Sequence, residues 1–157
     1  MDLLIPDFPG LEDRIGALST MRRGGVSTGP WGNEQGANGM NLGSHVGDDP
    51  QHVARNRAIL RSLLPAEPAW LTQVHGAGVV DAAGVAHAID ADASIASARG
   101  VVCVIQTADC LPVLFADVQG RVVGAAHAGW RGLSLGVLEN TVGAMRSAGA
   151  GELMAWL

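Results

Sequence analysis

Apolar residues recur at helical spacing in two stretches of the chain. Val53, Asn56, Leu60 and Leu63 share one face of a segment that opens at Asp48-Asp49-Pro50, and the spacing predicts a helix to about Leu64. Asp49 is placed to cap it, Pro50 suits its first turn, and Pro65 and Pro68 stop it. A second helix is predicted over about Ser134–Ser147, with Leu135, Leu138, Val142 and Met145 on one face and Gly149 and Gly151 beyond its end. Between them the pattern turns to strands. Residues 101–107 (VVCVIQT) are β-branched on both faces and read as the clearest buried strand. Val113–Ala116 and Arg121–His127 read as two more, joined by a hairpin turn at Asp117–Gly120. Trp70–His75 alternates, with Leu71, Gln73 and His75 on one face, and Val79-Val80 resumes after Gly76 and Gly78. Residues 81–100 are rich in Ala and Asp and follow no single period. Near the start, Leu18–Arg22 reads as a short strand followed by a long Gly/Asn/Ser loop, and Leu153–Leu157 opens a last strand.

Composition and charge narrow the class. The chain has 157 residues, of which 48% are hydrophobic and 16% charged: one domain's worth, able to build a core and too weakly charged for disorder. A net charge of −5 lacks the basic footprint of a nucleic-acid binder, so no nucleic-acid partner is expected. No apolar run reaches membrane-spanning length and MDLLIPDFPG has no basic leader, so the expectation is a cytoplasmic protein without a membrane partner. All 10 basic residues are Arg, which excludes Walker-A phosphate binding, Schiff-base chemistry and pyridoxal-phosphate attachment within this chain. The 2 cysteines, Cys103 and Cys110, form neither a CxxC pair nor a disulfide framework and read as reduced thiols.

Three segments place a metal-type ligand at a strand end: Gln73-Val74-His75-Gly76, Thr107-Ala108-Asp109-Cys110-Leu111-Pro112 and Ala125-Ala126-His127-Ala128-Gly129-Trp130. Converging, His75, Cys110 and His127 match a catalytic zinc site, with three protein ligands and a fourth position open. The competing readings are a structural or surface histidine and a cysteine that merely fills space. Cys103 fits that second reading, His52 reads as solvated, His87 as a bystander, and His45 as a loop residue outside the ligand set. Asp109 is a candidate proton donor or acceptor, or else a turn-capping carboxylate. Arg22, Arg23 and Ser27 flank Gly24-Gly25 and with Gly25 are candidates for an anion cradle, the arginines otherwise a solvated pair, with Asn41 and Arg131 as further contacts. Trp31 and Trp130 are candidates to stack on a planar base or to anchor their loops.

Met21-Arg22-Arg23-Gly24-Gly25-Val26-Ser27, Asn41-Leu42-Gly43 with His45-Val46-Gly47-Asp48, Gln73-Val74-His75-Gly76, Thr107-Ala108-Asp109-Cys110-Leu111-Pro112 and His127-Ala128-Gly129-Trp130-Arg131-Gly132 occur in that order. Together they resemble the laccase-domain family, also called multicopper polyphenol oxidase or purine nucleoside phosphorylase-like, of the YfiH/YlmD type. The resemblance runs from about residue 15 to the last residue. It implies an α+β fold, a layered α/β/β/α sandwich with mixed sheets. It implies that His75, Cys110 and His127 are the catalytic metal ligands; Asp109 beside them, and Arg22, Gly25, Ser27, Asn41, Gln73 and Arg131 on the substrate side, remain candidates on their own chemistry. It further implies a single domain over 1–157 that lacks the family's C-terminal portion.

The word laccase can be tested by counting ligands. A multicopper oxidase needs a trinuclear cluster fed by many histidines. The chain has 5, two of them already in the trio, so that cluster cannot be built from it. The resemblance implies instead a zinc enzyme (copper being the alternative metal) acting on purine nucleosides. Its reactions would be phosphorolysis of adenosine, inosine, guanosine or methylthioadenosine, and deamination of adenosine, a reaction other zinc deaminases perform. The partners would be a small purine nucleoside and phosphate. Two other readings stay open: a cysteine hydrolase or peptidoglycan-precursor editing enzyme with Cys110 as nucleophile, and an inactive fragment that only binds metal or a partner.

Overall fold

Alternating small and branched residues build the five-stranded sheet of the computed structural model, which describes residues 1–157. The chain divides into two units, Met1–Pro6 with Ala17–Leu64, and Asp7–Gly16 with Pro65–Leu157. In the first unit β1 (Leu3–Leu4) pairs antiparallel with β2 (Ser19–Thr20), and β3 (Arg23–Ser27) bridges to Gly39. The glycines at 24 and 25 had pointed to a loop there. The strand forms because its Val26 N–H is satisfied by the Asn56 side chain, 2.9 Å away on α1 (Pro50–Arg61). That helix starts as expected, with the Asp49 carboxylate accepting from Gln51 N. It buries Val53, Asn56 and Leu60 but ends before Leu63, which lies outside it and is exposed.

The second unit holds β4 (Pro68–Ala69), β5 (Val79–Asp81), β6 (Ala93–Ala96), β7 (Val102–Cys103), β8 (Leu111–Asp117), β9 (Val123–Ala128), α2 (Trp130–Ser134), α3 (Val137–Ser147) and β10 (Leu153–Trp156). Sheet order is β10-β8-β9-β6-β5, antiparallel except for the parallel β5–β6 pair. Ala93 and Ile95, Val113 and Phe115, Ala126 and Ala128 alternate onto one face, where Val137 and Met145 of α3 cover them. On the opposite face Ala96 and Val123 join Ala69, Ala82 and Cys103 in a smaller cluster beside the parallel β4–β7 pair. Helices with sheets of both parallel and antiparallel strands give the α+β class that the resemblance implies. No helix is long and apolar enough to cross a membrane.

Three expectations are corrected. Residues 101–107 do not form the dominant strand; only Val102–Cys103 pairs, because beyond it Gln106 N is bonded to the Gln73 side chain at 2.7 Å. The strand buried along its whole length is β6, between β9 and β5, within the stretch that showed no period. Trp70–His75 is not a strand either: it makes one bridge, Thr72 to Asp90, and His75 sits at φ 59°, where extended chain cannot continue. The helix over Ser134–Ser147 is interrupted by Gly136 at φ 86°, which separates α2 from α3. That break turns Val137, Thr141 and Met145 inward and leaves Leu135 exposed.

Asp117 closes the β8 end of the sheet. Its inaccessible carboxylate accepts from Arg121 Nε at 3.0 Å and from the N–H groups of Arg121 and Gly151. The Arg121 guanidinium foremost, with the two N–H groups and against burial, holds it down to about 2. A carboxyl depressed in the folded state stabilises the fold above its unfolded value of about 4 and loses that contribution as pH falls toward 2. Thermal melts should therefore lose stability over that acid window, and Asp117→Asn should flatten the loss while lowering stability at neutral pH.

Candidate metal centre

The register of β8 on β9 sets Leu111 opposite Ala128 and Pro112 opposite His127. Cys110, at the foot of β8, thereby lies against Gly129, just past the end of β9. His75 reaches the same place from its left-handed turn. The ligand atoms of His75, Cys110 and His127 all lie within 4.8 Å of one another. The two imidazoles meet edge to face with centroids 4.8 Å apart. His127 is buried, Cys110 half-buried and His75 exposed, so the cluster opens to solvent on the His75 side.

The donor chemistry and the space both suit a metal ion. Two imidazole nitrogens and one thiolate are a zinc-type set, and donors at about 2.0–2.3 Å from a tetrahedral centre stand roughly 3.5 Å apart, a closure of about 1 Å from the positions here. Room for the trio depends on Gly129: a Cβ there would lie 2.8 Å from Cys110 Sγ and 3.3 Å from His75 Cδ2. Gly132 lets α2 approach the turn, since a Cβ there would lie 2.9 Å from Gly76 O.

A residue that sequence reasoning passed over stands behind the trio. Asp92 is fully buried and accepts from the N–H groups of Val74 (3.2 Å), His75 (2.9 Å) and Gly76 (2.6 Å), and its Oδ1 is 2.8 Å from His127 Nδ1. The one hint in the sequence is an acid set directly before small residues, Asp92-Ala93-Ser94, at the entry to a packed strand that has no room for water.

Of the other candidates in this unit, Asp109 is exposed in the turn before Cys110. Gln73 clamps backbone at both ends of its amide: Nε2 donates to Gln106 O and Oε1 accepts from Gln106 N, each at 2.7 Å, tying the segment that leads to Cys110. Arg131 is exposed, its guanidinium 5.2 Å from the centroid of the Trp130 ring, which is 73% exposed. Cys103 is a filler as expected, its thiol pushed up to about 11 by burial.

In the first unit the residues expected around an anion take part in a loop-closing network. Arg22 donates to Gly32 O and Pro30 O. Gly25 is a site of close approach, with no room for a Cβ against Asn56 Oδ1 and Gly39 O. Ser27 is fully buried and donates to Asp48 at 2.6 Å while accepting from Asn56. The Asn41 amide donates to Asp48 and Gly43. Burial works against the Asp48 charge, but Ser27, Asn41 and Asp49 N–H hold the carboxyl below its ordinary value. His52 is not solvated: its Nδ1 lies 3.7 Å from Asp48 Oδ1. His45 and His87 are exposed.

The family described as multi-copper polyphenol oxidoreductase laccase matches residues 16–157. A purine nucleoside phosphorylase of Pseudomonas aeruginosa is 49% identical over 98% of this chain and 60% of its own length. The Escherichia coli purine nucleoside phosphorylase YfiH is 45% identical over 99% of this chain and 62% of its own length. The crystal structure of a Neisseria meningitidis protein superposes with a TM-score of 0.87 at 45% identity, over 99% of this chain and 61% of that one. YlmD from Geobacillus stearothermophilus superposes with a TM-score of 0.71 at 29% identity, over 85% of this chain and 53% of that one. The chain thus spans about three fifths of the length of the curated relatives it matches. From its motifs, its fold and these likenesses together, the chain belongs to the multi-copper polyphenol oxidoreductase laccase family.

Proposed function

We propose that this chain bears the metal centre of a purine nucleoside phosphorylase, with zinc held by His75, Cys110 and His127. The observation that supports this reading most is the convergence of two imidazoles and one thiol within 4.8 Å over the gap kept open by Gly129. The relatives named purine nucleoside phosphorylase supply the substrate class. Zinc bound there would supply a Lewis acid beside the solvent-facing His75. The protein's own groups do the rest. His127 is oriented by its Nδ1 contact. Asp109, exposed beside Cys110, is placed to take or give a proton. Arg131 offers a guanidinium to phosphate, and the exposed indole of Trp130 offers a face to the purine. The reactions we assign are phosphorolysis of adenosine, inosine, guanosine or methylthioadenosine, with deamination of adenosine at the same centre.

The test is the zinc-loaded chain with inosine, with and without inorganic phosphate, following hypoxanthine release, and with adenosine, following ammonia. Phosphate-dependent base release supports the proposal; none from either nucleoside overturns it. A second reading draws on a specific contact. The Asp92–His127 pair beside Cys110 also has the order of an acid–base–nucleophile relay, as in a cysteine hydrolase. The readings differ in what zinc does to Cys110. As a ligand the thiol is shielded from alkylation by the metal; as a nucleophile it reacts fastest in the active, metal-free protein.

A further inference from the structure

We infer that Asp92 is a positioning residue that sets both histidines of the trio from one carboxylate, fixing the tautomer of His127 and the left-handed turn of His75. The inference builds on the metal centre proposed above, but its decisive measurements need no metal.

Each Asp92 oxygen has two partners. Oδ2 accepts from Val74 N and Gly76 N, and Oδ1 accepts from His75 N and contacts His127 Nδ1. An ionised carboxylate only accepts, through about four lone-pair sites, so all its capacity is used and it has none left to ligate an ion itself. The same count decides the proton on His127. With an acceptor at Nδ1, the imidazole must donate from Nδ1, which leaves the Nε2 lone pair free for the trio. The backbone repeats the tie, His127 N donating to Asp92 O at 2.7 Å.

The second effect falls on His75. At φ 59° it is one of two non-glycine residues of the chain in the left-handed region. A residue with a Cβ persists there when surrounding bonds over-determine it. Here three consecutive N–H groups, from Val74 to Gly76, converge on one buried carboxylate. That convergence curls the exposed turn and presents His75 to a ligand pair built on the sheet. Asp92 is thus the link between a loop ligand and a strand ligand that lie 52 positions apart in the sequence.

Asp92→Asn tests this with shape conserved. One acceptor oxygen becomes an NH₂ donor, which must face either His127 Nδ1–H or the backbone N–H groups. On metal-free protein at mildly alkaline pH, nitrogen-15 side-chain spectra read the His127 tautomer and amide exchange reads Val74–Gly76. The wild-type chain should show His127 protonated at Nδ1 and slow exchange at the three amides. The variant should shift His127 toward the Nε2–H form, exchange those amides at least about tenfold faster, and bind zinc roughly 10–100-fold more weakly by chelator competition. A wild-type His127 protonated at Nε2 overturns the inference even if the variant does not fold. So does a folded variant in which either the tautomer or the exchange is unchanged. A wild-type chain that binds no zinc removes the metal proposal alone, since tautomer and exchange still decide the role of Asp92.

Discussion

Replacing Cys110 by alanine is expected to take the metal out of the chain. The thiolate is the anionic donor of the trio, and without it two imidazoles remain, short of the three protein ligands of a catalytic zinc site. The wild-type chain should retain about one zinc after dialysis, as a three-ligand site requires, and the variant almost none. Its dissociation constant should rise by more than about a hundredfold, above the usual cost of losing an outer partner. The residue is half-buried in a turn, so the metal-free melt should move little. Elemental analysis and a thermal melt on the same samples check both halves. The hydrolase reading also expects lost turnover, but it has no reason to expect lost zinc.

The largest effect on stability should come from Met145→Ala. Met145 is fully buried in the cluster between α3 and the sheet. It packs over Gly124 of β9, where a Cβ would lie 3.0 Å from the Met145 sulfur. Truncation leaves a cavity the sheet cannot fill and should cost about 3 kcal/mol, a drop in Tm of roughly 10 °C for a chain of this size. Leu135→Ala is the control. Leu135 shares a helical stripe with Met145 in the sequence, yet it is 63% exposed past the end of α2, and its loss should cost no more than about 0.5 kcal/mol. If Leu135 costs as much as Met145, the helix face described here is wrong. The strand under Met145 also carries His127, so the same truncation should loosen the metal site.

These two stripes show what a periodic pattern can and cannot tell. The apolar spacing was right in kind, but the break at Gly136 depends on a positive φ, and that rotates the buried face by a residue or two. Strands β8 and β9 and their turn were legible because alternation and Asp117–Gly120 chemistry agree locally. Strand β6 was not legible: Ala93-Ser94-Ile95-Ala96 is buried on both faces, and Ile95 alone is large enough to mark one. The Val-rich run after it advertised a long strand of which only Val102–Cys103 finds a partner.

For the site, the three residues that converge were legible because each sits within two residues of a glycine or proline turn. Asp92 was not, since its partners lie 16 to 18 and 35 positions away and only the folded sheet brings them together. The partners of Ser27 and Asn41 were equally hidden from the sequence. Polar residues in a Gly-rich loop suggest a ligand, but here they satisfy the buried Asp48.

The central claim is that His75, Cys110 and His127 bind one ion together. Zinc K-edge X-ray absorption on the zinc-loaded chain tests it most directly. The account predicts one sulfur at about 2.3 Å and two imidazole nitrogens at about 2.0–2.1 Å around the zinc of the wild-type chain. A wild-type spectrum with no sulfur neighbour, or a chain that takes up no zinc, would contradict it.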